Sequence, residues 1–115
     1  MIEGDVVLTP LPQADGEARP RPAISLRQVP PFGDWLVCGV STQLHHEVVG
    51  FDDVVELSQA AFAGSGLKAP SLIRLGFLAV LPSKALLGVI GSISLERHGR
   101  LLQRLGAFLQ SPRSA

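Results

Sequence analysis

Four groups of side chains in this sequence have the types and spacing for chemistry on a phosphate or a nucleobase. Arg21 stands between Pro20 and Pro22, with Arg19 just before them. Proline holds φ near one value, so a guanidinium placed there is delivered from a rigid segment. Its planar fork matches phosphate oxygens and stays protonated at any working pH, which suits phosphate binding or stabilisation of a transition-state charge. The other reading is a loop arginine satisfied by water, Asp15 or Glu17. Ser41-Thr42-Gln43 sets two hydroxyls and an amide in succession after an apolar run. Hydroxyls hold phosphate oxygens and glutamine reads a base edge, or the three simply close a strand end. His45-His46 follow, and imidazole is the side chain that titrates near neutrality and acts as a general base. Adjacent strand residues point to opposite faces, so both cannot easily serve one site; solvated loop histidines are the alternative. Ser71 and Arg74 form the fourth group, with Arg74 inside an apolar stretch just before Gly76. Such an arginine either snorkels at a sheet edge or is supplied to a groove.

Other polar residues read as structural. His98 is expected at the surface of a terminal helix, and Asp52-Asp53 is expected to be an exposed acidic loop in preference to a magnesium site. No Gly-rich phosphate loop, paired-carboxylate acid site or Gly-x-Ser-x-Gly turn is present. A single cysteine, Cys38, forms no intramolecular disulfide and no thiolate cluster, and three histidines offer no zinc spacing, so neither a structural metal nor a cofactor is expected. The apolar run Phe77–Leu81 stops at Pro82, far short of the roughly 20 residues of a membrane helix. The acidic start Met1-Ile2-Glu3-Gly4-Asp5 lacks the order of a secretory signal, which makes a reducing cytoplasm the expected location and a membrane role unexpected.

The elements that must position these groups follow from periodicity. At 115 residues and 46% hydrophobic content the chain has the size and apolar content of one domain with a real core, assigned to residues 1–110 with 111–115 as a flexible tail. Asp5–Leu11 reads as a strand, 13–22 as a loop, Ala23–Leu26 as a second strand, and Trp35–Ser41 as a third after the turn chemistry of Pro30-Pro31-Phe32-Gly33-Asp34. Val54–Leu57 is a candidate fourth strand and 58–62 a candidate helical turn. Ser71–Leu75 and Phe77–Leu81 supply strand material around Gly76, and Leu87–Ile93 a last strand. After Ser94, a plausible N-cap, Leu101, Leu102, Leu105, Phe108 and Leu109 fall on one helical face, with Arg97, Arg100 and Arg104 on the solvated side. The sum is a mainly β protein, a small antiparallel barrel closed by a C-terminal amphipathic helix. Equal numbers of acidic and basic residues argue against indiscriminate coating of nucleic acid. The distribution is polar along the chain: nine acids face three arginines up to Leu57, and seven basic residues face only Glu96 afterwards.

Gly4-Asp5-Val6-Val7 at the start, Arg21-Pro22-Ala23 before the second strand, Ser41-Thr42-Gln43 after the third, Gly66-Leu67 and Ser71 beyond, and Val89-Ile90-Gly91-Ser92-Ile93 before the leucine-rich helix together resemble the PemK/MazF family of toxin endoribonucleases. The order and spacing match over nearly the whole chain. The resemblance implies an SH3-like (CcdB/PemK-like) barrel, a homodimer, metal-independent cleavage of single-stranded RNA at short sequence words, and a cognate antitoxin whose disordered segment covers the RNA groove. It assigns Arg21, Ser41 and Thr42 to catalysis, and Arg19, Gln43, His45, His46, Ser71 and Arg74 to RNA binding. Ser41 then Thr42 stands where the family often has threonine then serine, and Gly76 where some members carry an acidic residue, so Glu17, His45 and His46 are the candidates for a general base. The dimer surface is expected around Leu67 and the terminal helix. A non-catalytic barrel that binds a protein, in the manner of the gyrase-directed CcdB toxins, is the alternative, favoured by Gly76 and by acid at Asp52-Asp53.

Overall fold

The computed structural model describes residues 1–11 and 19–114. Six antiparallel strands run in the order β4-β5-β3-β2-β1-β6, with β1 Asp5–Pro10, β2 Pro20–Val29, β3 Asp34–Ser41, β4 Asp53–Val55, β5 Ser71–Leu81 and β6 Gly88–Ser92. A short helix α1 (Phe62–Ser65) precedes β5, and α2 (Leu95–Gln110) follows β6. Valine, isoleucine and leucine fill both faces of the central strands, and two clusters result. Val6, Ile24, Leu26, Cys38, Ile73 and Leu75 join Leu101 and Leu105 of α2 in the larger one. Val7, Leu11, Ala23, Trp35 and Val37 form the smaller one on the other face, with Phe77 and Leu81 packed against it.

The sheet curls into a half-barrel whose edges, β4 and β6, do not pair. The α1 segment bridges the gap. Gly66 takes a left-handed φ of +72° at the end of α1, and a Cβ there would fall onto the Ile90 carbonyl of β6. Gly91 meets the Ser65 backbone in the same way. Only glycine lets two backbones approach so closely, and the approach carries Leu67 into the larger cluster. Gly66→Ala is therefore expected to cost about 2 kcal/mol from the left-handed conformation and the overpacking combined, read as a lowered urea midpoint.

Several sequence expectations are revised. The second strand begins at Pro20, because two prolines are tolerated where the β3 ladder has already ended at Ala23–Gly39. Residues 13–18 of the expected loop lie outside the described residues. The two pieces around Gly76 are one strand, β5, carrying a bulge: the ladder to β3 passes from Cys38–Leu78 to Gly39–Arg74 and leaves three β5 residues unpaired. The fourth strand is Asp53–Val55, not Val54–Leu57, and the helical turn lies at Phe62–Ser65, later than residues 58–62.

Helix α2 starts as expected, with Ser94 Oγ accepting from Arg97 N at 3.1 Å. Its arginines are not on a solvated side. Arg97 is buried, and Arg97, Arg100 and Arg104 all reach the Asp53 carboxylate, at 3.0, 2.9 and 3.6 Å. Arg97 also donates to Val54 O and Gln59 Oε1, and Arg104 to Asp52 O. Phe108 and Leu109 project beyond the sheet and are exposed, although the Phe108 ring lies 5.2 Å from Phe51. His98, expected at the surface, is half-buried, with Nε2 2.8 Å from the Leu26 carbonyl oxygen.

The acidic pair is likewise internal. Asp52 is buried, its Oδ2 accepting from Val48 N and its Oδ1 from Leu75 N. That second bond satisfies an amide freed by the β5 bulge, as burial requires. Nearby Cys38 is buried in the larger cluster, and burial, with a smaller push from the Asp52 charge against a backbone hydrogen bond at Ile24, raises its thiol from the ordinary 9.0 to about 12. The thiol stays protonated in the native state while the unfolded chain ionises above pH 9. The thiol thus has no effect on native stability below pH 9 and lowers it by up to about 1.4 kcal/mol per pH unit between pH 9 and 12. Urea denaturation of the wild type against Cys38→Ala across that range is expected to show the slope in the wild type alone.

Candidate active site

The β-ladder brings the polar groups to one face. Directly opposed residues share a face, as do residues two apart on a strand. Ala23, Gly39 and Arg74 stand in one row across β2, β3 and β5. Ser41 lies two residues beyond Gly39, opposite Leu72, and extending the β2 register past Ala23 sets Arg21 opposite Ser41. Arg21, Ser41 and Arg74 therefore converge. Pro22 has no N–H to continue the ladder, so the strands part there and leave a hollow.

That hollow is a cavity of about 310 Å³ walled by Arg21, Pro22, Val40, Ser41, Thr42, Gln43, Ser71, Arg74 and Phe77. Two guanidinium groups, three hydroxyls and one amide face it, and among the described residues no carboxylate or imidazole lines it. The negative charge of Asp52 and Asp53 is engaged elsewhere, and the charged side chains among the described wall residues are the cations Arg21 and Arg74. Arg21 Nε is buried and meets no acceptor among the described residues. Buried polar atoms are almost always paired, so an unpaired guanidinium nitrogen at a cavity wall marks a place for an anionic ligand.

Arg74 is oriented by packing. A Cβ on Gly39 would stand 2.7 Å from Phe77 Cδ2, so the missing side chain is what admits the Phe77 ring. The Arg74 guanidinium carbon lies 5.8 Å from the centroid of that ring, a cation–π arrangement that fixes its charge at the cavity. Ser41 Oγ accepts from Gln43 N at 3.0 Å, which turns the chain sharply after β3, and Ser71 Oγ donates to Ala69 O at 2.8 Å. The Thr42 hydroxyl has no partner among the described residues.

Among the described residues the wall gathers Arg21, Ser41, Thr42, Gln43, Ser71 and Arg74. Arg19 is exposed and outside it. His45 and His46 are exposed on a 3₁₀ turn, Leu44–His46, with their rings 4.2 Å apart, and neither lines the cavity. Glu17 lies outside the described residues. Phe77 and Gly39 escaped the sequence reading; their signal was a glycine two residues before Ser41 and an aromatic three after Arg74 across Gly76. No three of His, Cys, Asp and Glu gather in a manner able to hold a metal ion among the described residues.

Among solved structures, the Mycobacterium tuberculosis toxin MazF-mt6 is similar in fold, with a TM-score of 0.64 over 95% of this chain and 99% of that one. The fold is MazF-like. The mainly β architecture with a C-terminal helix expected from the sequence is thereby shown, with the expected barrel present as a curled half-barrel. No family model and no curated protein sequence matches the chain. At 21% identity the likeness to MazF-mt6 concerns the fold, and the chemistry rests on the cavity's own residues. No helix among the described residues is long and apolar enough to cross a membrane.

Proposed function

We propose that the protein is the toxin of a toxin–antitoxin pair and a metal-independent endoribonuclease, with the Arg21 cavity as the seat of the scissile phosphate of single-stranded RNA. The observation that carries this reading is the convergence of two arginines and three hydroxyls on one cavity of a MazF-like fold, with Arg21 Nε meeting no acceptor among the described residues.

The chemistry follows from that arrangement. The ribose 2′-oxygen attacks the adjacent phosphorus, the bond to the 5′-oxygen breaks, and the products are a 2′,3′-cyclic phosphate and a 5′-hydroxyl. The 2′-hydroxyl proton leaves as the bond forms, and a proton is supplied to the departing 5′-oxygen. Negative charge gathers on the non-bridging oxygens, where Arg21, rigid between two prolines, is already in place to meet it. Ser41 and Thr42 hold a phosphate oxygen, and Arg74 holds the strand by its backbone charge. No described wall residue is a base, and the proton acceptor is sought among Glu17, His45 and His46, the candidates that the sequence offers. Requirement for the 2′-hydroxyl separates RNA from DNA.

A homodimer in the cytoplasm and a disordered antitoxin segment laid across the cavity complete this reading. Leu67, expected at the dimer surface, is buried in the larger cluster, whereas Leu95, Phe108 and Leu109 of α2 offer exposed apolar surface. The alternative of a non-catalytic protein-binding barrel loses the acidic pair that favoured it, because Asp52 and Asp53 are tied to β5 and α2. Incubation with a long single-stranded RNA in excess chelator tests the proposal. Discrete fragments are expected; intact RNA from a folded sample would refute it.

A further inference from the structure

A second cavity, about 380 Å³, adjoins the first and shares Pro22, Thr42 and Ser71 with it. Its character is different. Leu8, Leu67, Ala69 and Ile90 give it walls of carbon, and among the described residues Lys68 is the one charged residue that lines it. The volume lies in the range of pockets that enclose small organic ligands, roughly 300–1,000 Å³. A flat, apolar body attached to a phosphate held next door would fill such a slot, and a nucleobase is that body. Base faces stack and pack against apolar side chains, while their edges need polar partners.

From this we infer that the slot seats the nucleobase flanking the scissile phosphate and that Lys68 selects a keto base, guanine or uracil, there. The inference rests on the nuclease reading of the first cavity. Lys68 is exposed and makes no hydrogen bond or ion pair among the described residues, so its ammonium is available. An ammonium has donors only, and it is matched by a carbonyl acceptor such as guanine O6 or uracil O4, whereas the corresponding exocyclic amines of adenine and cytosine are themselves donors. Ser71 Oγ already donates to Ala69 O, so toward the base it presents an acceptor, suited to the ring N–H beside such a carbonyl. Donor and acceptor at the slot's margin thus match the O=C–N–H edge of a keto base.

The test compares wild type with Lys68→Met, which keeps the stem and removes the charge at an exposed position, and with Ala69→Leu, which fills the slot. Cleavage sites are mapped on a randomised RNA pool, and binding of 2′-O-methyl oligonucleotides of each base is measured by fluorescence anisotropy. The expected result is a keto preference at one position beside the cut, reduced about tenfold in Lys68→Met, as for loss of a charged hydrogen bond, with other positions unchanged. Cleavage without any such preference, or with one that Lys68→Met leaves intact, overturns the slot assignment and leaves the nuclease standing. Keto-selective binding without cleavage supports the slot while the catalytic reading fails. Absence of both binding and cleavage overturns both. If Lys68→Met or Ala69→Leu alters oligomeric mass and not base preference, the slot belongs to a protein contact and the inference falls.

Discussion

Arg21→Ala is expected to lose about 10³-fold in RNA cleavage while folding normally. The size follows from removing a preorganised charged donor at the point where transition-state charge develops, which costs roughly 10²–10³ for one donor in other enzymes and more for a guanidinium on phosphate. Folding is spared for a specific reason: Arg21 Nε has no protein acceptor among the described residues, so its removal orphans no buried partner there. Arg21→Lys keeps the charge, loses the planar fork, and is expected to fall in between. Single-turnover cleavage rates, with urea midpoints as the control for folding, measure both. A variant that cuts within about threefold of wild type would remove Arg21 from the chemistry.

The second large effect concerns stability. Asp53→Ala removes the one carboxylate shared by Arg97, Arg100 and Arg104, and leaves Arg97 buried without its counter-charge. Breaking a buried pair from one side costs about 3–5 kcal/mol, and because Arg100 and Arg104 reach solvent we expect about 3 kcal/mol here. Against a total of some 5–15 kcal/mol for a domain of this size, that is a large fraction. Urea denaturation is expected to show a lower midpoint at unchanged slope. A loss under about 0.5 kcal/mol would instead class the network with surface ion pairs. Cleavage per folded molecule is expected to stay the same, since Asp53 does not line the cavity.

This network also shows what a sequence pattern conveys and what it conceals. The strands from β1 to β3 and the amphipathic α2 were legible, because alternation, turn residues and the Ser94 cap are local signals. The arginines of α2 were misread, because helical periodicity separates leucine from arginine but cannot tell solvent from a carboxylate brought by a distant strand. The acid-rich first half and base-rich second half meet here: Asp53 from the former neutralises arginines of the latter. Arg21, Ser41, Thr42, Gln43, Ser71 and Arg74 were each visible by type and position. Their convergence depends on strand order and register, which single residues do not encode. The β5 bulge was hidden for the same reason. Gly76 read as a break in a strand, whereas Asp52 holds the bulge through Leu75 N from elsewhere in the fold.

In the proposed mechanism the Arg21 cavity drives attack by the 2′-hydroxyl on its own phosphate without a metal ion. Two oligonucleotides spanning a mapped cleavage site, identical except for a 2′-deoxy sugar at the scissile nucleotide, test it most directly when incubated with the protein in excess chelator and analysed by mass spectrometry. The ribose form is expected to be cut to a 2′,3′-cyclic phosphate and a 5′-hydroxyl, and the deoxy form to stay whole. Cleavage of the deoxy form, or products ending in a 3′-hydroxyl and a 5′-phosphate, would contradict that mechanism.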